Sequence, residues 1–322
     1  MYGGVVALRR RLYRIGLLST RRVAVPVIVV GNLIAGGAGK TPTVLAVVTV
    51  LRAQGWRPGV ISRGYGRSDD GLVVHVGEDT PVAQAGDEPL LLHVRAGVPV
   101  VVARDRVAAA RALLSRHPEV DVIVSDDGLQ HLRLARDVQL LVFDDRGAGN
   151  GWLLPAGPLR EPLPRRVPPR TLVLYNAARP STALPGHLAC RRLAGAVPLS
   201  GWWRGTEPSP QTLQQLAGRP LIAAAGMAHP AKFFGMLRAA GLSIEELPLP
   251  DHFDFCALPW PADAADVIVT EKDAVKLQPG RLGATRVWVV PLDFRLDANF
   301  EQALIALLPS HTTRTFDGYP TA

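Results

Sequence analysis

Residues 31–42 read "GNLIAGGAGKTP". An apolar run at 25–30 precedes them, and a helical pattern follows over about 42–54. A strand, a glycine-rich loop ending in Gly-Lys-Thr, and a helix form the context that a phosphate-binding loop requires. Gly36, Gly37 and Gly39, with Ala38 between them, let backbone N–H groups turn toward phosphate oxygens, helped by the helix N-terminus. Lys40 would reach the β- and γ-phosphates of a nucleoside triphosphate, and Thr41 would give its hydroxyl to Mg²⁺. Pro42 stands in the first helical turn, where a missing N–H costs nothing.

One position breaks the strict pattern G-x-x-x-x-G-K-[ST], which asks for glycine where Ile34 stands. Gly31 is then expected to make the turn out of the strand. The scarcity of lysine supports the phosphate reading over an incidental glycine-rich turn. The chain has four lysines against 32 arginines, and Lys40 is the only lysine in the first 231 residues. A lone ammonium in an arginine-rich chain suggests a need for a compact point charge. The partitioning-type ATPase variant, K-G-G-x-G-K-[ST], would need lysine at position 35, and Ala35 argues against it.

Working outward, the first half alternates apolar runs with helical patterns, as a parallel sheet covered by helices does. "VDVIVSDD" and "VQLLVFDD" both read as buried strands ending in paired carboxylates. The stretch at 154–170, "LPAGPLREPLPRRVPPR", holds six prolines and cannot be a helix. Beyond it a second alternating set runs from "TLVLY" to a helix at about 299–308. The expected architecture is α/β: a P-loop NTPase-type core with a mostly parallel sheet flanked by helices over 1–168. A smaller α/β domain over 169–308 would close over the cleft, and a polar tail would occupy 309–322.

At 322 residues and 48% hydrophobic, the chain can build two cores, and no apolar run reaches the roughly 18 residues that span a bilayer. Cys190 and Cys256 are isolated, which fits a reducing compartment, and the histidines show no zinc-ligand spacing. Eleven positive charges and no acid precede Asp69, so this region favours an anionic partner. Val5, Leu8, Leu12 and Ile15 fall on one helical face, with Arg9, Arg10, Arg11 and Arg14 around the rest. The pattern leaves two readings open: a helix lying in an anionic membrane interface, or one packed on the domain. Nucleic acid is disfavoured, since no stacking aromatics beyond Tyr13 interleave the basic residues.

In "VIVSDDGLQH", Asp126 and Asp127 sit at the C-terminal edge of a strand, where Mg²⁺ would sit beside the phosphates. Asp-Asp-Gly is also good turn chemistry, and pairing with the loop tips the balance to metal. In "AGDEPLLLH", Asp87 reads by default as a helix N-cap, and alternatively as a general base. His252 in "PLPDHFDF" likewise reads by default as a packed loop histidine.

Together these stretches resemble the tetraacyldisaccharide 4′-kinases of lipid A biosynthesis. The matching segments include "VPVIVVGNLIAGGAGKTP", "RPGVISRGYGR", "GDEPLLL", "DVIVSDDGLQHLRLARDVQL", "GNGWLLPAGPLREP", "LPDHFDF" and "VIVTEKDAVKL", in the family's order from about residue 5 to 295. The family's loop also lacks glycine at the place of Ile34. The resemblance implies transfer of the γ-phosphoryl of ATP to the 4′-hydroxyl of a tetraacylated glucosamine disaccharide 1-phosphate, a lipid A precursor. It implies Asp87 as base with His252 as its partner across a closed cleft, and Thr41, Asp126 and Asp127 around Mg²⁺. Gln130, His131, Arg160 and Glu161 would line the site, with Ser62, Arg63 and Tyr65 near the sugar phosphate and membrane. It implies a peripheral enzyme on the cytoplasmic face of the bacterial inner membrane. The apolar lead-in to "ALRRRLYR" is shorter than the family often has, implying weaker attachment, and "DHFDF" departs from its frequent forms while keeping His252. Two other classes share the loop and its metal-binding carboxylates: a nucleotide-dependent switch ATPase, and a soluble small-molecule kinase whose basic helix is only structural.

Overall fold

The structure is a computed structural model that describes residues 2–310, so the expected polar tail lies almost wholly outside the described residues. Helix α1 (Tyr2–Arg14) opens the chain, followed by β1 (Val27–Gly31), α2 (Lys40–Ala53), β2 (Pro58–Ser62) and β3 (Val74–Val76). Next come α3 (Val82–Ala85), α4 (Asp87–Ala96), β4 (Val100–Val102), α5 (Arg106–Arg116), β5 (Val122–Asp126) and β6 (Val138–Asp144). After the proline-rich segment run β7 (Thr171–Asn176), β8 (His187–Leu188), β9 (Cys190–Leu193), β10 (Val197–Pro198), α6 (Leu199–Trp203) and α7 (Pro210–Gln215). The remainder holds β11 (Leu221–Ala225), α8 (Pro230–Ala239), β12 (Ile244–Pro248), β13 (Asp266–Val269), α9 (Glu271–Ala274), β14 (Arg286–Val289), β15 (Leu292–Arg295) and α10 (Ala298–Ala306).

The first sheet has eight strands in the order β3-β4-β2-β5-β1-β6-β7-β8. All its pairs are parallel except β3 with β4 at one edge. Strands covered on both faces must be apolar throughout, and β1 is buried at every residue. Ile28 and Val30 pack with Val44, Val47 and Leu51 of α2, and Val27 and Val29 pack with Val107, Ala110 and Leu113 of α5. The α2 side continues without a break into a second, five-stranded sheet ordered β10-β14-β13-β11-β12.

The expected domain boundary at 168/169 is displaced. β7, assigned to the second domain from sequence, pairs in parallel with β6 along its whole length and so belongs to the first sheet. At the other end, α10 buries Phe300 and Leu304 in the core that β1 and β7 share, and His187 meets Asp297 at 3.3 Å. The second sheet therefore spans 197–289. The chain enters it through β9 and returns through β15, which pair antiparallel in a two-stranded ribbon. That ribbon and β12 left no clear sequence signal, because none of their residues is buried and their side chains carry mixed chemistry.

The loop that fails the strict pattern is held from outside. Ile34 is fully buried and bridges to Leu159 of the proline-rich segment. Ala35 N–H donates to the Pro158 carbonyl (2.7 Å), and Arg160 N–H to the Leu33 carbonyl (2.7 Å). Ile34 thus anchors the lengthened loop where a shorter one would use glycine. Gly31 does not make the turn expected of it. It is the last strand residue, and a side chain there would meet Leu129 at 2.7 Å.

Candidate active site

A cavity of about 1640 Å³ runs between the two sheets. Its floor is residues 36–42, and α2 begins at Lys40, two residues earlier than the sequence pattern placed it. Gly39 caps the helix with φ 85°, and a Cβ there would strike the Asn176 side-chain nitrogen at 2.1 Å, so both conformation and space demand glycine. Arg146 pins the loop's other side by donating to the Gly37 carbonyl (2.8 Å), and is itself held by buried Asp144. Lys40 is buried, with Nζ 3.4 Å from Asn32 Oδ1 and 3.7 Å from Asp127 Oδ1. An ammonium is thus seated behind a helix N-terminus whose N–H groups have no partners of their own.

The two aspartates at the end of β5 divide. Asp127 adopts φ 45° and meets Arg160 (3.2 Å) as well as Lys40, and these charges hold its carboxyl below the usual range despite burial. Asp126 accepts from Ser62 Oγ at 3.0 Å, and its other oxygen is buried without a partner. Burial, then the neighbouring Glu88 and Asp127 charges, pushes its pKa up to about 7. An orphaned carboxylate oxygen among acids is where a divalent cation gains most, so the donor set fits Mg²⁺ at Asp126 with Thr41 nearby. Among the described residues no three His, Cys, Asp or Glu side chains converge on a metal position. A cation here needs phosphate oxygens to complete its shell, as Mg²⁺ in nucleotide sites does.

Facing this floor is Asp87, the first residue of α4. The default capping reading does not hold: Gly86 occupies the N-cap, and the Asp87 carboxylate, 5% exposed, faces the second unit. His252 Nδ1 lies 3.0 and 2.9 Å from its two oxygens. An ionised carboxylate only accepts, so Nδ1–H donates. Burial would raise the Asp87 pKa, but the His252 hydrogen bond and the charges of Lys272, His252 and Lys276 outweigh it, and the net direction is down. His252 moves up, chiefly through the same hydrogen bond. Its φ of 62° is a conformation costing about 1–3 kcal/mol for a non-glycine residue, and such outliers gather at functional sites.

The remaining expected residues part ways. Arg63, Tyr65, Gln130, His131 and Arg160 line the cavity, and the Tyr65 ring lies 5.2 Å from that of His252. His131 is pushed down to about 4 by burial and by Arg106, Arg63 and Arg9, so it is neutral among cations. Ser62 lines the cavity too, but its hydroxyl is committed to Asp126. Glu161 does not line it; it pairs with Arg10 of α1 at 3.2 Å and ties that helix to the site. Tyr2 adds a second tie, donating to the Arg160 carbonyl.

Four contributors escaped the sequence reading: Arg146, Asn176, Lys272 and Lys276. For the lysines a signal was present. The scarcity argument that singled out Lys40 applies to all four lysines, since Lys232 and Lys272 line the cavity and Lys276 stands directly behind Asp87.

Comparison with known proteins identifies the family. The family described as Tetraacyldisaccharide-1-P 4'-kinase matches residues 1–309. A tetraacyldisaccharide 4'-kinase of Methylibium petroleiphilum is 61% identical over 315 residues, covering 96% of this chain and 88% of that one. One from Leptothrix cholodnii is 58% identical over 311 residues, covering 95% and 89%. Among solved structures, the apo form of LpxK from Aquifex aeolicus in complex with ATP superposes with a TM-score of 0.77 at 27% identity, over 96% of each chain. A match across nearly the full length, on a fold whose cleft joins a phosphate loop to a carboxylate–histidine pair, places this chain in the tetraacyldisaccharide-1-P 4'-kinase family.

Proposed function

We propose that the cleft transfers the γ-phosphoryl group of ATP to the 4′-hydroxyl of a tetraacylated glucosamine disaccharide 1-phosphate at a membrane surface. The observation that carries this reading is the Asp87–His252 pair set opposite the phosphate loop. A switch ATPase has no need of an acceptor-side base, which disfavours that alternative. The loop amides and Lys40 hold the triphosphate, and Arg160 with Asp127 fixes the rim beside Lys40. Asp126 and Thr41 would hold Mg²⁺, which supplies charge neutralisation on the phosphate oxygens when bound. An Asp87 oxygen accepts the hydrogen bond of the attacking hydroxyl and takes its proton as the new P–O bond forms and the bond from the γ-phosphorus to the bridging oxygen breaks, releasing ADP. His252 Nδ1–H holds the carboxylate in place. Since Asp87 and His252 belong to different units, the base is complete only with the cleft closed over the reactants.

The test is transfer of labelled γ-phosphate from ATP to a lipid A disaccharide precursor. Transfer to the 4′-position is expected, and ATP turnover with no labelled acceptor would sink the reading.

The lipid acceptor must be met at its surface, and α1 suits that task. Val5, Leu8 and Ile15 on its expected apolar face are 63%, 58% and 58% exposed, and no residue of α1 is buried against the protein. Arg9, Arg10, Arg11 and Arg14 ring that face, complementary to anionic headgroups. The Arg10–Glu161 and Tyr2–Arg160 contacts tie the helix to the segment that carries Arg160, a residue lining the cavity. Among the described residues no helix is long and apolar enough to cross a membrane, so attachment is interfacial in this reading, on the cytoplasmic face where ATP is found. Leu8→Glu is expected to weaken co-sedimentation with anionic vesicles about tenfold or more, the worth of one buried leucine. Equal binding by wild type and Leu8→Glu would favour the soluble-kinase alternative.

A further inference from the structure

Asp87 faces an unusual concentration of cations, and all of them come from the second unit. His252 and its neighbour Asp251 lie on the loop after β12. Lys272 lies in α9 and spreads its ammonium over Asp251 (2.8 Å), Glu88 (3.4 Å) and Asp87 (4.0 Å). Much of its charge is therefore spent on Asp251 and Glu88. Lys276, just after α9, stands differently. Its side chain is 4% exposed, its Nζ is 3.9 Å from Asp87 Oδ2, and it stacks over the Phe255 ring at 5.2 Å.

Lys276 rests on a prepared seat. Its Nζ donates to Asp273 Oδ1 at 3.1 Å, and Asp273 is wholly buried. The other Asp273 oxygen accepts from Thr270 Oγ1 (2.7 Å) and Gly226 N–H (3.1 Å). Gly226 has to be glycine for that approach, because a Cβ would come within 2.8 Å of Asp273 Oδ1. Burying an ammonium and a carboxylate costs desolvation that one pair only partly returns, so the arrangement calls for a use beyond stability. Lys276 is not among the residues lining the cavity, so it does not act on phosphate or acceptor directly. What it does reach is Asp87.

We propose that Lys276, seated on Asp273, is a positioning residue for the phosphoryl transfer: it holds the buried Asp87 carboxylate ionised and aimed at the acceptor once the cleft is closed. The base is thereby assembled from two halves, with the carboxylate on α4 and its charge support on the segment from Thr270 to Lys276. The downward shift at Asp87 is consistent with this geometry. Other charges facing the carboxylate are Glu88 on its own helix and the Asp251, His252 and Lys272 groups described above. Glu271 is turned to Arg95 and does not compete. The inference rests on the kinase reading, and the two fail separately: no transfer by the wild type would sink that reading, whereas a wild-type-like Lys276 variant would sink only this one.

The experiment compares wild type with Lys276→Gln, which keeps a donor for Asp273 but removes the charge, and with Lys276→Met/Asp273→Asn, which leaves no buried charge unpaired. Rates are measured from about pH 3 to 9, so that the acid limb set by the depressed Asp87 pKa falls within the range, with melting temperature and the KM for ATP alongside. Loss of a cation about 4 Å from a carboxylate should move the acid limb of kcat/KM up by about one pH unit or more. At neutral pH kcat should fall about tenfold or more through misplacement of the base, with the KM for ATP near wild type. An acid limb and kcat unchanged in both folded variants would overturn the proposal. A parallel loss of kcat, ATP affinity and melting temperature with no movement of the acid limb would also overturn it, by showing a structural role only.

Discussion

Asp87→Asn is expected to lower kcat by about 10²–10⁴-fold while the KM for ATP stays near its wild-type value. The change removes the proton acceptor and leaves shape intact. Asparagine can still receive the His252 Nδ1–H and the Glu88 backbone N–H that the carboxylate now accepts. The phosphate loop lies on a different element, so nucleotide binding has no reason to change. The pH profile of the wild type follows from the two directions of shift. Asp87 is held below its ordinary 3.8, so its contribution is present above that value and is lost only as pH falls through the depressed pKa. His252 is raised above its ordinary 6.5, so its contribution is present below that value and is lost as pH rises through the raised pKa. The rate should therefore plateau through weak acid and decline on the alkaline side, and His252→Gln should flatten the alkaline decline. Full activity in Asp87→Asn would remove the base assignment while leaving the kinase reading standing.

Lys40→Ala should cost about 10²–10³-fold in kcat, the usual loss for one preorganised group that stabilises transition-state charge. Lys40→Arg should recover little of it. The ammonium sits in a narrow space between Asn32 and Asp127, 9% exposed, where a planar five-donor fork does not fit as a point charge does. The chain uses arginine 32 times and lysine four, so retention of lysine here is chemically informative. Single-turnover kinetics with labelled ATP, together with nucleotide binding by calorimetry, would separate lost chemistry from lost affinity. Recovery of wild-type kcat by Lys40→Arg would show that charge alone, without geometry, is what the loop needs.

The phosphate loop was legible because its chemistry is local. Consecutive backbone N–H groups, a positive-φ glycine at position 39 and the lysine after it are written in adjacent residues, and adjacent residues set adjacent dihedrals. The paired Asp126 and Asp127 were legible for the same reason, as the end of an apolar strand. Their division of labour was not legible. It depends on Ser62 one strand away and on Arg160, thirty-three residues along the chain, reaching one carboxylate and missing the other. Glu161 reads in sequence as a site residue beside Arg160, yet the chain bends there and its carboxylate pairs with Arg10 of α1 instead.

The sequence by itself determined that this chain is an α/β protein built around a nucleotide loop, that its positive charge is concentrated at the N-terminal end, and, through resemblance, which acceptor it phosphorylates. Periodicity, glycine placement and charge runs carry that information because they act within a few residues of one another. Only the tertiary structure decided that Ile34 is a buried anchor, that β7 and α10 belong to the first unit, and that Asp87 meets His252 and Lys276. Those contacts join positions as much as 189 residues apart. They form because a chain that leaves through β9 and returns through β15 brings α9 against α4, and no local pattern records which side chains that closure brings face to face.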